Sequence, residues 1–112
     1  MIKNLTYNYH DATLETISLQ QHELVLIIVL YPIFYPNHPK IKLMISGITN
    51  IITCEKWVLD AISAFQEENE ETLGPRINDI YLNKNNKNQL LVSIDSIKTV
   101  KLNFEKLHEI EL

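Results

Sequence analysis

From residue 24 to residue 31 the chain reads LVLIIVLY, an unbroken run of eight apolar residues that Pro32 ends. Water excludes such a run, so it has to be buried. It is far shorter than the roughly 20 residues that cross a bilayer as a helix, which points to a buried strand and to no membrane segment. A strand wet on one face alternates polar with apolar residues. This one does not alternate, so the expectation is a central strand from Glu23 to about Phe34, covered on both faces. Pro32, Pro36 and Pro39 follow within eight residues. Proline has no N–H to give to a ladder, so this stretch is expected as a stiff extended loop displaying aromatics, Tyr35 and His38 among its exposed residues.

The other apolar patterns are shorter. Residues 13–20 (TLETISLQ) read as a strand, with Gln21-His22 as a tight connection to the next one. Residues 40–48 alternate, Ile41, Leu43 and Ile45 on one side and Lys42, Met44 and Ser46 on the other, with a bend at Gly47 and another short strand at 50–54. Residues 77–83 and 89–94 flank an Asn-rich stretch, KNNKN, which is expected to form a hairpin with Asn supplying positive φ. Residues 98–104 alternate again, and Leu107, Ile110 and Leu112 carry an apolar set to the last residue. One segment has helical spacing: Trp57, Val58, Ala61, Ile62 and Phe65 form a stripe over residues 55 to about 68, with Glu and Gln opposite. At 112 residues with 21% charged residues, the chain has the size and polarity of one domain. The fold class that follows is α+β: one antiparallel sheet of about six to seven strands with one main helix packed on it.

Catalytic patterns are missing from the sequence. Only two glycines are present, which leaves no glycine-rich phosphate loop. The four histidines lack metal-ligand spacing, and neither Ser46 nor Ser63 sits in a nucleophile turn. No cofactor motif is present. The single cysteine, Cys54, cannot form an internal disulfide and is expected as a buried, reduced thiol, which fits a cytoplasmic location, as does an N-terminus with no apolar export signal. His10-Asp11 reads as structural, with Asp11 bonding backbone N–H groups at the turn into the first strand.

The net charge is −4, and its placement is uneven. Residues 1–54 are neutral, residues 80–112 carry +1, and residues 55–79 carry −5 through Glu55, Asp60, Glu67, Glu68, Glu70, Glu71 and Asp79 against Lys56 and Arg76. An acidic chain with one arginine is a poor match for a nucleic-acid backbone. Lys84 and Lys87, flanking the hairpin turn, read as edge protection. The acidic segment is a steering surface for a basic partner, with Glu67, Glu68, Glu70, Glu71 and Asp79 as candidate contacts and Tyr35 and His38 as a second set.

The opening Tyr9-His10-Asp11-Ala12, followed by mostly β-strand sequence including LMISGITNI, resembles a broad group of small bacterial proteins that share an aromatic-His-Asp-small motif. Several groups of this appearance look like immunity proteins of polymorphic-toxin or contact-dependent growth inhibition systems. The resemblance implies an α+β fold, a toxin-binding role in place of catalysis, and Tyr9, His10 and Asp11 as a fold signature. The partner it implies is a basic toxin domain. The alternative is a structural or homo-oligomerisation module in which the apolar strand pairs with a second copy.

Overall fold

In a computed structural model of the chain, residues 5–37, 39–67, 75–95 and 97–112 are described. Seven strands and one helix follow in the order β1 (Thr13–Gln20), β2 (Glu23–Val29), β3 (Lys40–Ser46), α1 (Ile51–Glu67), β4 (Ile77–Leu82), β5 (Gln89–Ile94), β6 (Val100–Asn103) and β7 (Lys106–Glu111). All strand pairs are antiparallel, so the α+β class holds. The single sheet expected from the sequence is instead two: a four-stranded sheet ordered β1-β2-β3-β7 and a three-stranded sheet ordered β4-β5-β6. The reason is area. One helix cannot cover one face of seven apolar strands, whereas two sheets can bury their inner faces against each other.

Those inner faces meet in one core. Leu24, Leu26 and Ile28 of β2 and Ile41, Leu43 and Ile45 of β3 are fully buried, together with Leu90, Val92 and Leu102 of the smaller sheet. β2 is internal, as expected, but it ends at Val29 and not near Phe34, because the chain turns at Tyr31, to whose carbonyl the Phe34 and Tyr35 N–H groups donate. Nor is β2 covered on both sides. Its burial alternates, with Val25, Ile27 and Val29 half-exposed on the outer face. An apolar residue on a solvated face costs little, so a run without polar residues does not prove two-sided burial.

Two corners join the sheets. At one, the Ile77 N–H donates to the Ala12 carbonyl at 2.7 Å and the Leu14 N–H to the Pro75 carbonyl at 3.0 Å. At the other, the Thr49 N–H donates to the Asn103 carbonyl at 2.9 Å and the Glu105 N–H to the Ser46 carbonyl at 3.0 Å. The expected bend at Gly47 lies here, with a φ of 68° that suits glycine. A Cβ at that position would come within 2.7 Å of the Glu105 Cβ.

α1 lies against β1 and β6, an edge strand of each sheet, and closes the seam between them. It starts at Ile51, so residues 51–54 are helix and not the short strand expected from their β-branched composition. Asn50 decides this. Its Nδ2 donates to the Lys101 carbonyl at 2.7 Å and its Oδ1 accepts from the Asn103 N–H at 2.9 Å. With Asn50 pinned on β6, its own carbonyl accepts the Cys54 N–H at 3.2 Å and the first helical turn is set. The β4–β5 connection also differs in detail. None of its asparagines has positive φ. They form Asx turns, the Asn83 Oδ1 accepting from the Asn85 N–H at 2.9 Å and the Asn86 Oδ1 from the Asn88 N–H at 3.0 Å.

Candidate functional site

The fold-signature residues split into two clusters. Tyr9 is fully buried, and its hydroxyl donates to Glu109 Oε2 on β7 at 2.6 Å. The same carboxylate accepts the Thr6 N–H at 2.7 Å and the Tyr7 N–H at 3.2 Å, so one side chain ties the segment before β1 onto β7. Burial, reinforced by the hydrogen bond and charge of Glu109, holds the Tyr9 phenol well above its usual range. The hydroxyl is therefore held protonated, as the donor to Glu109.

His10 and Asp11 face the other sheet. Asp11 Oδ1 accepts from Arg76 at 2.6 Å, and the guanidinium also donates to both oxygens of Asp95 at 3.0 and 3.2 Å. Arg76 holds the Asp95 carboxyl below the usual carboxylate range, chiefly through those hydrogen bonds. The His10 Nδ1 bonds the Asn78 carbonyl at 2.8 Å. Asp11 thus clips the entry of β1 to β4 and β5 through the only arginine, and among the described residues no backbone N–H donates to its carboxylate in the way the sequence suggested. It also holds a φ of 60°, which Asp and Asn adopt more readily than other non-glycine residues. The expected result is a graded series in urea unfolding. Asp11→Asn loses about 0.5–1 kcal/mol, the worth of a partly exposed ion pair. Asp11→Ala loses about 1–2 kcal/mol because alanine also pays for the left-handed backbone. Equal losses would remove the backbone contribution.

Among the described residues, no three His, Cys, Asp or Glu side chains are placed to hold a metal ion. Cys54 is a buried free thiol, pushed up to about 11 by burial and then by the neighbouring Glu55 charge. A thiolate is the nucleophilic form, so this cysteine is unreactive near neutrality. No described helix is long and apolar enough to cross a membrane.

Among the described residues, the sequence-assigned contacts Tyr35 and Asp79 lie on different elements. Tyr35 is half-buried, its ring 6.2 Å from that of Tyr7 and its hydroxyl accepting the Asn8 N–H at 2.9 Å. It braces the loop after β2, and Ile33 (73% exposed) and Phe34 are what that loop displays. His38 lies outside the described residues, as do Glu68, Glu70 and Glu71. Glu67 is the last residue of α1. Asp79 sits half-buried on β4, its Oδ1 accepting the Ile80 N–H at 2.9 Å.

The outer face of α1 holds the residues that sequence reading missed. Cys54, Trp57, Val58, Ala61 and Ala64 are buried, while Ile62, assigned to the buried stripe, is 40% exposed at its margin. Opposite the stripe, where only polar residues were expected, Ile52 and Leu59 are 80% and 65% exposed. They are seven residues apart, two helical turns, so they share one face. The acidic residues Glu55 and Asp60 are exposed on the same helix. The signal was available: two large aliphatics fall outside the 3.6-residue stripe. Starting the helix at 55 instead of 51 hid Ile52.

Comparison of this chain with protein-family models, with curated proteins and with solved structures found no match.

Proposed function

We propose that this is a non-enzymatic binding protein, an immunity protein that neutralises a cognate basic toxin domain through the outer face of α1 and the acidic segment that follows it. The observation that carries this reading is the pair Ile52 and Leu59. A solvated helix normally covers its outward face with polar groups, and exposed aliphatics on a helix that also exposes Glu55, Lys56 and Asp60 resemble the apolar centre and polar rim of an interface. Charge complementarity selects the partner, because residues 55–79 carry −5 in a chain whose remainder is nearly neutral. The resemblance of Tyr9-His10-Asp11-Ala12 to immunity-type proteins supports the same role. Neutralisation needs no chemistry from this chain, only a surface that fits and excludes water.

The test is binding to the product of the adjacent toxin-type gene, followed by surface capture at two ionic strengths. Changing Glu67, Glu68, Glu70 and Glu71 to glutamine is expected to cut the on-rate about tenfold at low salt and less at high salt, where screening already hides the charges. Leu59→Asp is expected to act on the off-rate, because it breaks the apolar centre. Unchanged rates in both variants place the interface elsewhere, and no binding to neighbouring gene products removes the toxin partner. A second reading, a homo-oligomerisation module, draws on Val25, Ile27, Val29, Met44 and Ile110, which share the outer face of the four-stranded sheet. A dimer in sedimentation that Ile27→Lys dissolves favours that reading.

A further inference from the structure

The acidic chain has a basic pole, and register puts it on the outer face of the three-stranded sheet. Tyr81 stands opposite Leu91, and Leu91 opposite Lys101. Tyr81 is 46% exposed and Leu91 half-buried, so the row presents an aromatic ring, an apolar floor and an ammonium group in turn. Adjacent strands are about 4.8 Å apart, which places Tyr81 and Lys101 about 10 Å from each other across Leu91. The neighbouring row is an amide ladder. Asn83 Nδ2 donates to Gln89 Oε1 at 2.7 Å, and Gln89 Nε2 donates to Asn103 Oδ1 at 2.9 Å. Beyond it, the Asx turns fix the loop that carries Lys84 and Lys87. Tyr81, Asn83, Lys84, Lys87, Leu91 and Lys101 line one groove of about 890 Å³, which Leu5 also borders.

Lys84, Lys87 and Lys101 make no ion pair with any described residue, in contrast to Lys40, which pairs with Glu15 at 2.9 Å. Edge protection explains two lysines beside a turn. It does not explain a third from β6 converging on the same groove with an exposed ring between. Three ammonium groups with no ion pair among the described residues suit phosphate oxygens, and an exposed tyrosine beside an apolar floor suits a flat ring. The groove is also directional. Asp79 and Ser93 form the row on the far side of Tyr81, so a carboxylate repels phosphate from that end and leaves the lysine end for it.

We propose that this groove binds a phosphorylated planar ring of the nucleotide class, with the ring on Leu91 beside Tyr81 and the phosphates among Lys84, Lys87 and Lys101. This site is separate from α1 and stands or falls independently of the toxin-binding reading. The test is amide-resolved NMR titration of the full chain with ATP, adenosine, inorganic phosphate and a single-stranded oligonucleotide. ATP is expected to shift the amides of Tyr81, Leu91, Lys101 and the 84–87 loop saturably, at about millimolar concentration or below. Adenosine and phosphate, each carrying half of the recognition, are expected to bind about tenfold more weakly or worse. A Lys84→Gln, Lys101→Gln double variant is expected to weaken ATP about tenfold and flatten its salt dependence, its spectrum reporting in the same experiment that the fold is kept. Tyr81→Ala is expected to weaken ATP while leaving the response to phosphate unchanged. An oligonucleotide that outcompetes ATP at the same amides supports the groove and assigns the ligand to a strand. No saturable shift with ATP up to about 10 mM, shifts that map elsewhere, or an unaffected lysine variant overturns the proposal.

Discussion

Trp57→Ala lowers the unfolding free energy by about 3–5 kcal/mol, the largest loss expected from any single change in α1. Trp57 is 4% exposed and points from the helix into the shared core, so truncation leaves a cavity that two sheets and a helix cannot all collapse into. The measurement is urea unfolding followed by circular dichroism, since the change removes the only tryptophan. A companion variant separates packing from polarity. The Trp57 Nε1 is buried and bonds to no described residue. An unpaired buried N–H is itself unfavourable, so Trp57→Phe recovers part of what the smaller ring loses and is expected to cost less than about 2 kcal/mol. A Phe variant as unstable as the Ala variant would show that the indole N–H is satisfied in solution.

The second large effect belongs to Glu109. Glu109→Ala is expected to cost about 2–3 kcal/mol, because it leaves a fully buried phenol without an acceptor and frees two backbone N–H groups together. Tyr9→Phe removes the donor as well as its need, so it is expected to cost about 1 kcal/mol. The double variant should then lose less than the sum of the two, and full additivity would mean that the 2.6 Å contact contributes nothing. Alkali gives an independent readout. The folded phenol is held above its unfolded value, so its contribution is fully present below about pH 10 and is lost as pH rises beyond that. Tyr9→Phe should therefore flatten the alkaline limb of the stability curve.

Neither partner of this pair could be matched from sequence. Tyr9 and Glu109 are 100 residues apart, and the only signal read in the tail that holds Glu109 is the apolar set Leu107, Ile110 and Leu112. The Asp11–Arg76 pair has the same character: both residues were visible, one as part of a motif and one as the only arginine, but nothing in spacing joins them. The proposed partner surfaces were legible in proportion to charge. The −5 of residues 55–79 stands in the composition. The aliphatic pair Ile52 and Leu59 waited on the helix start.

What the sequence determined by itself is local. Alternation placed Ile41, Leu43 and Ile45 inward, and the 3.6-residue stripe oriented α1 with Trp57 buried. These patterns depend on neighbours within a few residues, and the hydrophobic effect acts on them wherever the chain ends up. Tertiary structure decided the rest. The division into two sheets came from the area that one helix could not cover. Residues 51–54 became helix because Asn50 is held by Lys101 and Asn103, about fifty positions away in the chain. Tyr81 and Lys101 came to share a groove only because strand pairing set their register, and register is a property of two strands that neither carries alone.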